Sequence, residues 1–315
     1  MVKLFIVIPC YNESEVLGET SKRLYEKMNN LLLKGVISSD SRVIFVDDGS
    51  KDDTWEKISA LHNENDIFSG CKLSRNRGHQ NALLAGLSLA KGNCDAVISM
   101  DADLQDDINA IDEFIAQYEA GYEVVYGVRK KRKKDSFFKR FTAESFYKFM
   151  KFMGAEIVFN HADYRLLGSK ALDGLFEFEE VNLFLRGLVP LVGFNSTEVY
   201  YERNERFAGE SKYPLKKMLS FAFDGITSLS IKPVKLIINV GIFCFVASIA
   251  MLIYALISHF TGHTVSGWTS IMASIWALGG LQLLAIGIVG EYVGKVFLET
   301  KKRPRFIIEK FLNKE

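Results

Sequence analysis

Proline, histidine and cysteine are all rare in this chain, at 5, 5 and 4 residues of 315. So few prolines exclude an extended proline-rich or collagen-like architecture. The cysteines (Cys10, Cys71, Cys94, Cys244) fall in no CxxC or Cys/His spacing, which excludes a disulfide framework and a zinc site and leaves scattered thiols of a reducing compartment. No GxxxxGK[ST] or GxGxxG run is present, so phosphate is not held as a P-loop or dinucleotide fold holds it. Tandem repeats are absent too. Charge of either sign is not in excess: 39 basic against 38 acidic side chains give +1, too little for bulk nucleic-acid binding. Locally the balance breaks, because Arg129 to Arg140 carries eight basic residues and one acid.

Two stretches lack charge altogether: Leu236 to Ile257 and Trp268 to Gly290. A bilayer core of about 30 Å needs roughly 20 helical residues, so each is long enough to cross. The linking Ser258 to Gly267 has no Lys or Arg, whereas Lys232 and Lys235 precede the first run and Lys295, Lys301, Lys302, Arg303 and Arg305 follow the second. The positive-inside rule then places both chain ends in the cytoplasm. At the N-terminus Leu4 to Ile8 is too short for the apolar core of a signal peptide. The expectation is an integral membrane protein of the cell (inner) membrane with two spans and a cytoplasmic N-terminal domain.

That domain alternates strand and helix. Leu4 to Ile8, Val43 to Val46, Ala96 to Met100 and Val124 to Tyr126 are short apolar runs, each followed by polar turn residues and a helical pattern. Apolar positions at helical spacing run from Ala82 to Leu89 after Gly78 and from Ile108 to Tyr118 after Asp106. This is the pattern of buried parallel strands with crossover helices, an α/β class with a mostly parallel sheet. Ligands of such sheets bind at the carboxyl ends of the strands. The tips there read Cys10-Tyr11-Asn12-Glu13, Asp47-Asp48-Gly49-Ser50, Ser74-Arg75-Asn76-Arg77-Gly78 and Asp101-Ala102-Asp103-Leu104-Gln105. Carboxylates gathered at strand ends repel one another unless a cation shares them. Asp101, Asp103 and Gln105 alternate as hard oxygen donors for Mg²⁺ or Mn²⁺, with substrate phosphates and water completing the shell. The competing reading is that acids here cap the next helix, a role open to Asp106 or Asp107. His62, His79 and His161 are scattered and read as surface or packing residues.

These motifs in this order, with Asp163-Tyr164-Arg165-Leu166, Arg206 to Tyr213 and the two apolar runs, resemble the polyprenyl-phosphate glycosyltransferases of glycosyltransferase family 2. The likeness is to the bacterial enzymes that load glucose or a related sugar onto undecaprenyl phosphate, and to dolichyl-phosphate mannose synthases. It implies a GT-A nucleotide-sugar-binding domain over 1–212, a juxtamembrane amphipathic helix over 213–233, two transmembrane helices over 234–290 and a basic cytoplasmic tail over 291–315. It also implies inverting transfer from a nucleotide-sugar, UDP-glucose or UDP-N-acetylglucosamine, to the phosphate of undecaprenyl phosphate. GDP-mannose is the alternative donor. A processive polysaccharide synthase fits less well, since it needs a longer channel and a QxxRW motif absent here. By resemblance Pro9, Tyr11 and Glu13 line the nucleotide pocket, Asp47 reads the base and Arg75 lies near the nucleotide. Asp101 approaches the ribose and diphosphate, Asp103 and Gln105 ligate Mg²⁺ or Mn²⁺, and Asp163 lies nearest the reacting centre, with an ion pair to Arg165 as its other reading. The family's usual proline after the DxDLQ-acid run is replaced by Asp107-Ile108, which leaves the next helix start less fixed.

An anionic acceptor needs cations. Arg129, next to a strand end, is the leading choice from the basic run, with Arg206 and Lys212 before the membrane region. Leu215 to Leu229 and Phe137 to Met153 have amphipathic spacing suited to the membrane interface. Small residues of the second run, including Gly290 and Gly294 in a GxxxG, suit either a homo-oligomer through the spans or packing against the first span.

Overall fold

Along the first strand, Leu4, Ile6, Ile8 and Cys10 join one hydrophobic cluster while Phe5 and Val7 join another. Successive strand side chains point to opposite faces, so this strand is covered on both. A computed structural model describes residues 1–130, 161–180, 184–202, 232–260 and 267–313. The strands are β1 (Leu4–Cys10), β2 (Arg42–Asp47), β3 (Phe68–Leu73), β4 (Ala96–Ser99), β5 (Val124–Arg129), β6 (His161–Gly168), β7 (Ser196–Tyr201) and β8 (Ile308–Leu312). The helices are α1 (Ser14–Leu33), α2 (Thr54–Glu64), α3 (His79–Ala90), α4 (Ala110–Glu119), α5 (Ser169–Phe176), α6 (Leu185–Leu191), α7 (Lys232–Phe260) and α8 (Trp268–Thr300).

The eight strands form one sheet in the order β7-β5-β6-β4-β1-β2-β3-β8. Its centre is parallel, β4-β1-β2-β3, as expected from the crossover helices. β6 runs antiparallel between β4 and β5, and β8 runs antiparallel along β3. Leu17, Leu24 and Met28 of α1 and Phe114 of α4 fill one side. Ala82, Leu83 and Leu87 of α3, with Leu172 and Leu188, fill the other. Full burial stabilises each such Leu by about 1.5–3 kcal/mol, which is why the strand-plus-helix pattern is so readable.

Three expectations need correction. β5 continues to Arg129, because β7 pairs with it as far as Arg129 opposite Tyr201, so Arg129 is a strand residue and not the first of a loop. Residues 291–315 are not a basic tail: α8 runs on to Thr300, and β8 rejoins the sheet beside β3. Finally, Asp106 caps no helix; α4 begins later, at Ala110, and Asp106 is buried.

A separate unit comprises α7 and α8. Many of its described apolar side chains are open, with Phe243 and Leu283 each 73% exposed. Among the described residues one segment, Leu278–Thr300, is long and apolar enough to cross a membrane. It extends further toward the C-terminus than the expected run Trp268 to Gly290. A Cβ added at Gly287, Gly290 or Gly294 meets nothing within 4 Å among the described residues. The expected amphipathic stretches at Leu215 to Leu229 and Phe137 to Met153, with Arg206 and Lys212, lie outside the described residues.

Candidate active site

Parallel pairing aligns the ends of β1, β2, β3 and β4, and the polar tips meet along one edge of the sheet. At the β2 tip, Asp47 is fully buried; its Oδ1 accepts the Ser50 N–H at 3.1 Å. Its Oδ2 is buried with no hydrogen-bond partner among the described residues, an acceptor awaiting a donor. Burial raises its pKa above the usual carboxylate range. Asp48 has a different task that its sequence position did not reveal. It accepts the Arg77 N–H at 2.6 Å and the Gly78 N–H at 2.8 Å, clamping the β3 tip to the β2 tip. Gly49 between them has φ +68° and lies so close to the Asn76 backbone that a Cβ would sit 2.6 Å from its nitrogen. Pro9 is buried in β1, whereas Tyr11 and Arg75 are exposed and Glu13 is half-buried. Asn12, at φ 54°, donates its N–H to Ser50 Oγ at 2.9 Å, tying the β1 tip to the β2 tip.

The β4 tip carries Asp101, Asp103 and Gln105. Leu104 is buried with φ 57°, a left-handed conformation uncommon for leucine. The strain is held in place by neighbours: Thr20 Oγ1 donates to Ala102 O at 2.8 Å, the Gln105 N–H to Asp103 Oδ1 at 3.2 Å, and Tyr164 OH to Asp107 O at 2.9 Å. These bonds fix the turn that a proline would otherwise stiffen. Asp106 anchors it further, accepting Tyr201 OH at 2.5 Å and Arg129 Nη2 at 3.3 Å, while Arg129 Nε donates to Tyr201 OH at 3.2 Å. Arg129, expected at the acceptor phosphate, is thus committed to an internal ion pair with a buried carboxylate.

Asp163 on β6 accepts Arg165 Nη2 at 2.6 Å and a two-pronged grip from Arg186, Nε at 3.1 Å and Nη2 at 3.0 Å. Although burial opposes its charge, Arg186 and Arg165 hold its carboxyl well below the usual range. The ion-pair reading of Asp163 with Arg165 is therefore present in the structure. The His79 imidazole lies 3.5 Å from Asp101 and 3.7 Å from Asp163, bridging the two carboxylates. Asp101 is pushed up to about 6, by burial first and then by Asp106, Asp163 and Asp103, against the pull of His79. His79, expected as a surface or packing residue, is indeed exposed, but it also joins the site; its place directly after Gly78, at a strand tip, was the available signal. Arg186 had none, because its helix is distant in sequence and brought in by β6. His62 does pack as expected, with Nδ1 2.7 Å from Phe68 O.

The residues fit a divalent cation. Asp103 and Gln105 offer hard oxygens from one turn, with Asp101 beside them at the same strand tip. Among the described residues no group of three His, Cys, Asp or Glu side chains is placed to hold a metal ion.

The parallel-centred α/β sheet thus gathers a buried acceptor and an acidic turn at adjoining strand ends. Residues 5–176 match Glycosyl transferase family 2 and residues 232–296 match the GtrB C-terminal hairpin. The chain belongs to glycosyltransferase family 2. It is 53% identical over 306 residues to the uncharacterized glycosyltransferase YkoT of Bacillus subtilis (strain 168), covering 97% of this chain and 91% of that one. It is 38% identical over 312 residues to the bactoprenol glucosyl transferase of Shigella phage SfX, covering 98% and 99%. The prophage bactoprenol glucosyl transferase homolog of Escherichia coli (strain K12) is 36% identical over 313 residues, covering 98% and 99%. Among solved structures, the mannosyltransferase PcManGT of Pyrobaculum calidifontis, in complex with GDP-Man and Mn²⁺, overlaps with a TM-score of 0.48 at 14% identity, covering 93% and 87%.

Proposed function

We propose that this enzyme transfers glucose from UDP-glucose, with inversion, to the phosphate of undecaprenyl phosphate at the cytoplasmic face of the cell membrane. The observation that carries the reading is the acidic β4 tip, beside the buried Asp47 acceptor, in a chain 38% identical to a bactoprenol glucosyl transferase over nearly its whole length. Pro9, Tyr11, Glu13 and Arg75 border the nucleotide, and Asp47 Oδ2 accepts from the base. Asp103 and Gln105 hold Mg²⁺ or Mn²⁺, which when bound neutralises charge building on the departing diphosphate. Asp101 lies beside the diphosphate, 3.5 Å from the His79 imidazole.

In the reaction an acceptor phosphate oxygen bonds to the sugar C1 as the C1–O bond to the diphosphate breaks. The acceptor is already anionic near neutral pH, so no side chain need remove its proton. Asp163 suits this chemistry. Two guanidinium groups hold it too acidic to serve as a base at neutral pH, and it fixes Arg186 at the site instead. Arg206 and Lys212 are the acceptor-phosphate cations of this reading, whereas Arg129 serves the turn through its ion pair with Asp106.

Two crossings by α7 and α8 complete the proposal. β8 follows both helices and belongs to the same sheet as β1–β5, so the chain leaves and returns on one side, which supports an even number of crossings. The basic residues flanking the pair place that side in the cytoplasm. Gly290 and Gly294 remain open for a second copy in the bilayer.

Membranes holding the protein, given labelled UDP- and GDP-sugars with polyprenyl phosphate, test the reading. A mild-acid-labile glycolipid from UDP-glucose is expected, abolished by EDTA and by Asp103→Ala. Product from GDP-mannose alone would overturn the donor, and full rates in excess EDTA would overturn the metal.

A further inference from the structure

The last strand touches the proposed donor site. β8 pairs antiparallel with β3, with Ile308 opposite Leu73, so β8 enters the sheet at the end of β3 that carries the Ser74–Gly78 tip. Ile307 O accepts the Ser74 N–H at 3.0 Å. Arg305 Nη2 donates to Phe178 O at 2.7 Å, and Phe306 and Ile308 pack on the core cluster containing Leu73, Ala82 and Leu83. Support then passes along the tip. Ser74 leads into Arg75 and Asn76, whose backbone presses on Gly49, and into Arg77 and Gly78, whose amides hold Asp48. Without β8, β3 would be an unpaired edge, a position prone to fraying and mispairing.

We infer that Arg305 to Ile308 are positioning residues for the donor nucleotide, holding the Ser74–Gly78 loop in register with the Asp47–Asp48–Gly49 tip. This rests on the reading of these strand tips as the nucleotide site. The segment follows α7 and α8 in the chain, so this support for the donor site is supplied by residues beyond the apolar hairpin.

Hydrogen exchange and donor kinetics on the full-length protein in mild detergent test this together. In an Arg305→Ala, Phe306→Ala double variant the Arg77 and Gly78 amides are expected to exchange at least about tenfold faster while the β1 amides keep their wild-type rates. KM for UDP-glucose should rise about tenfold with kcat changed less than about threefold. Arg305→Lys with Phe306→Leu should restore both readouts. Unchanged exchange at Arg77 and Gly78, or faster exchange spread evenly into β1, overturns the inference. So does a loosened loop with wild-type KM. If the wild type turns over no UDP- or GDP-sugar, the donor reading fails, and the exchange pattern still decides whether the segment holds the loop.

Discussion

Replacing Gly49 by alanine probes how tightly the β2 and β3 tips are held together. Gly49 has φ +68°, and a left-handed L-residue costs about 1–2 kcal/mol. The new Cβ would lie 2.6 Å from Asn76 N and 2.8 Å from Arg75 C, against a comfortable separation of about 3.5 Å. Both obstacles are backbone, so no side chain can swing aside, and the loop must retreat by roughly 0.5–1 Å. That movement stretches the amide bonds to Asp48, and charge-assisted bonds of this kind contribute about 1.5–3 kcal/mol each. With partial loss of one bond, the total is about 2–4 kcal/mol, or a melting point lower by about 5–12 °C for a unit of this size. Gly35 supplies the control, with φ +67° and nothing within 4 Å of its Cβ. Gly35→Ala carries the strain without the clash, and its stiffer unfolded chain offsets part of that, leaving a cost of about 0.5–1 kcal/mol. Thermal unfolding and donor KM of the two variants are the assay. A loop shift near 1 Å should raise KM for UDP-glucose by tenfold or more in Gly49→Ala only, by order of magnitude. Equal melting points for the two variants, with equal KM, would refute the reasoning.

Tyr201→Phe removes a donor from the buried Asp106 and leaves Arg129 at 3.3 Å, so thermal unfolding should show a loss of about 1.5–3 kcal/mol, deepened if Asp106→Asn also takes the counter-ion from Arg129. Arg186→Ala removes the two-pronged grip on Asp163, leaving Arg165 and the more distant His79, and raises its folded pKa. Because a depressed carboxyl stabilises above its unfolded pKa and fails as pH falls through the folded one, the variant should unfold at a higher pH in acid titration than wild type. Burial pushes the Cys71 and Cys94 thiols up to about 12, so stability is full below the unfolded thiol pKa and is lost as pH rises from about 9 to about 12. The same burial predicts that neither thiol reacts with iodoacetamide at pH 8 unless the protein is unfolded; rapid labelling of the native protein would contradict it.

The sequence by itself determined the parallel centre of the sheet, the strand tips that meet as a site and the two long apolar helices. Each of these rests on a local signal: alternating or continuous burial in Leu4–Cys10 and Arg42–Asp47, helical spacing in α3 and α4, polar residues just after each strand, and uncharged runs long enough to span lipid. Asp47, Asp101, Asp103 and Gln105 were legible as candidates for the same reason, since position after a strand end is a property of the nearby chain. Tertiary structure alone decided the partners. β6 places Asp163 and Arg165 beside β4 with polar residues that no strand pattern announces, and Arg186 reaches Asp163 from a helix that shares no spacing with it. His79 became part of the site only because folding sets the start of α3, at the end of the β3 tip, 3.5 Å from Asp101 of the β4 tip. Arg129, so exposed-looking in a basic run, turned inward because the low dielectric around Asp106 makes a paired cation there worth more than one in water. β8 was hidden for a related reason: Ile308–Leu312 is short and half polar, and it forms a strand because β3 offers it an unpaired edge. Local periodicity reports how a segment buries itself, whereas ion pairs and edge pairing depend on groups that folding brings from elsewhere in the chain.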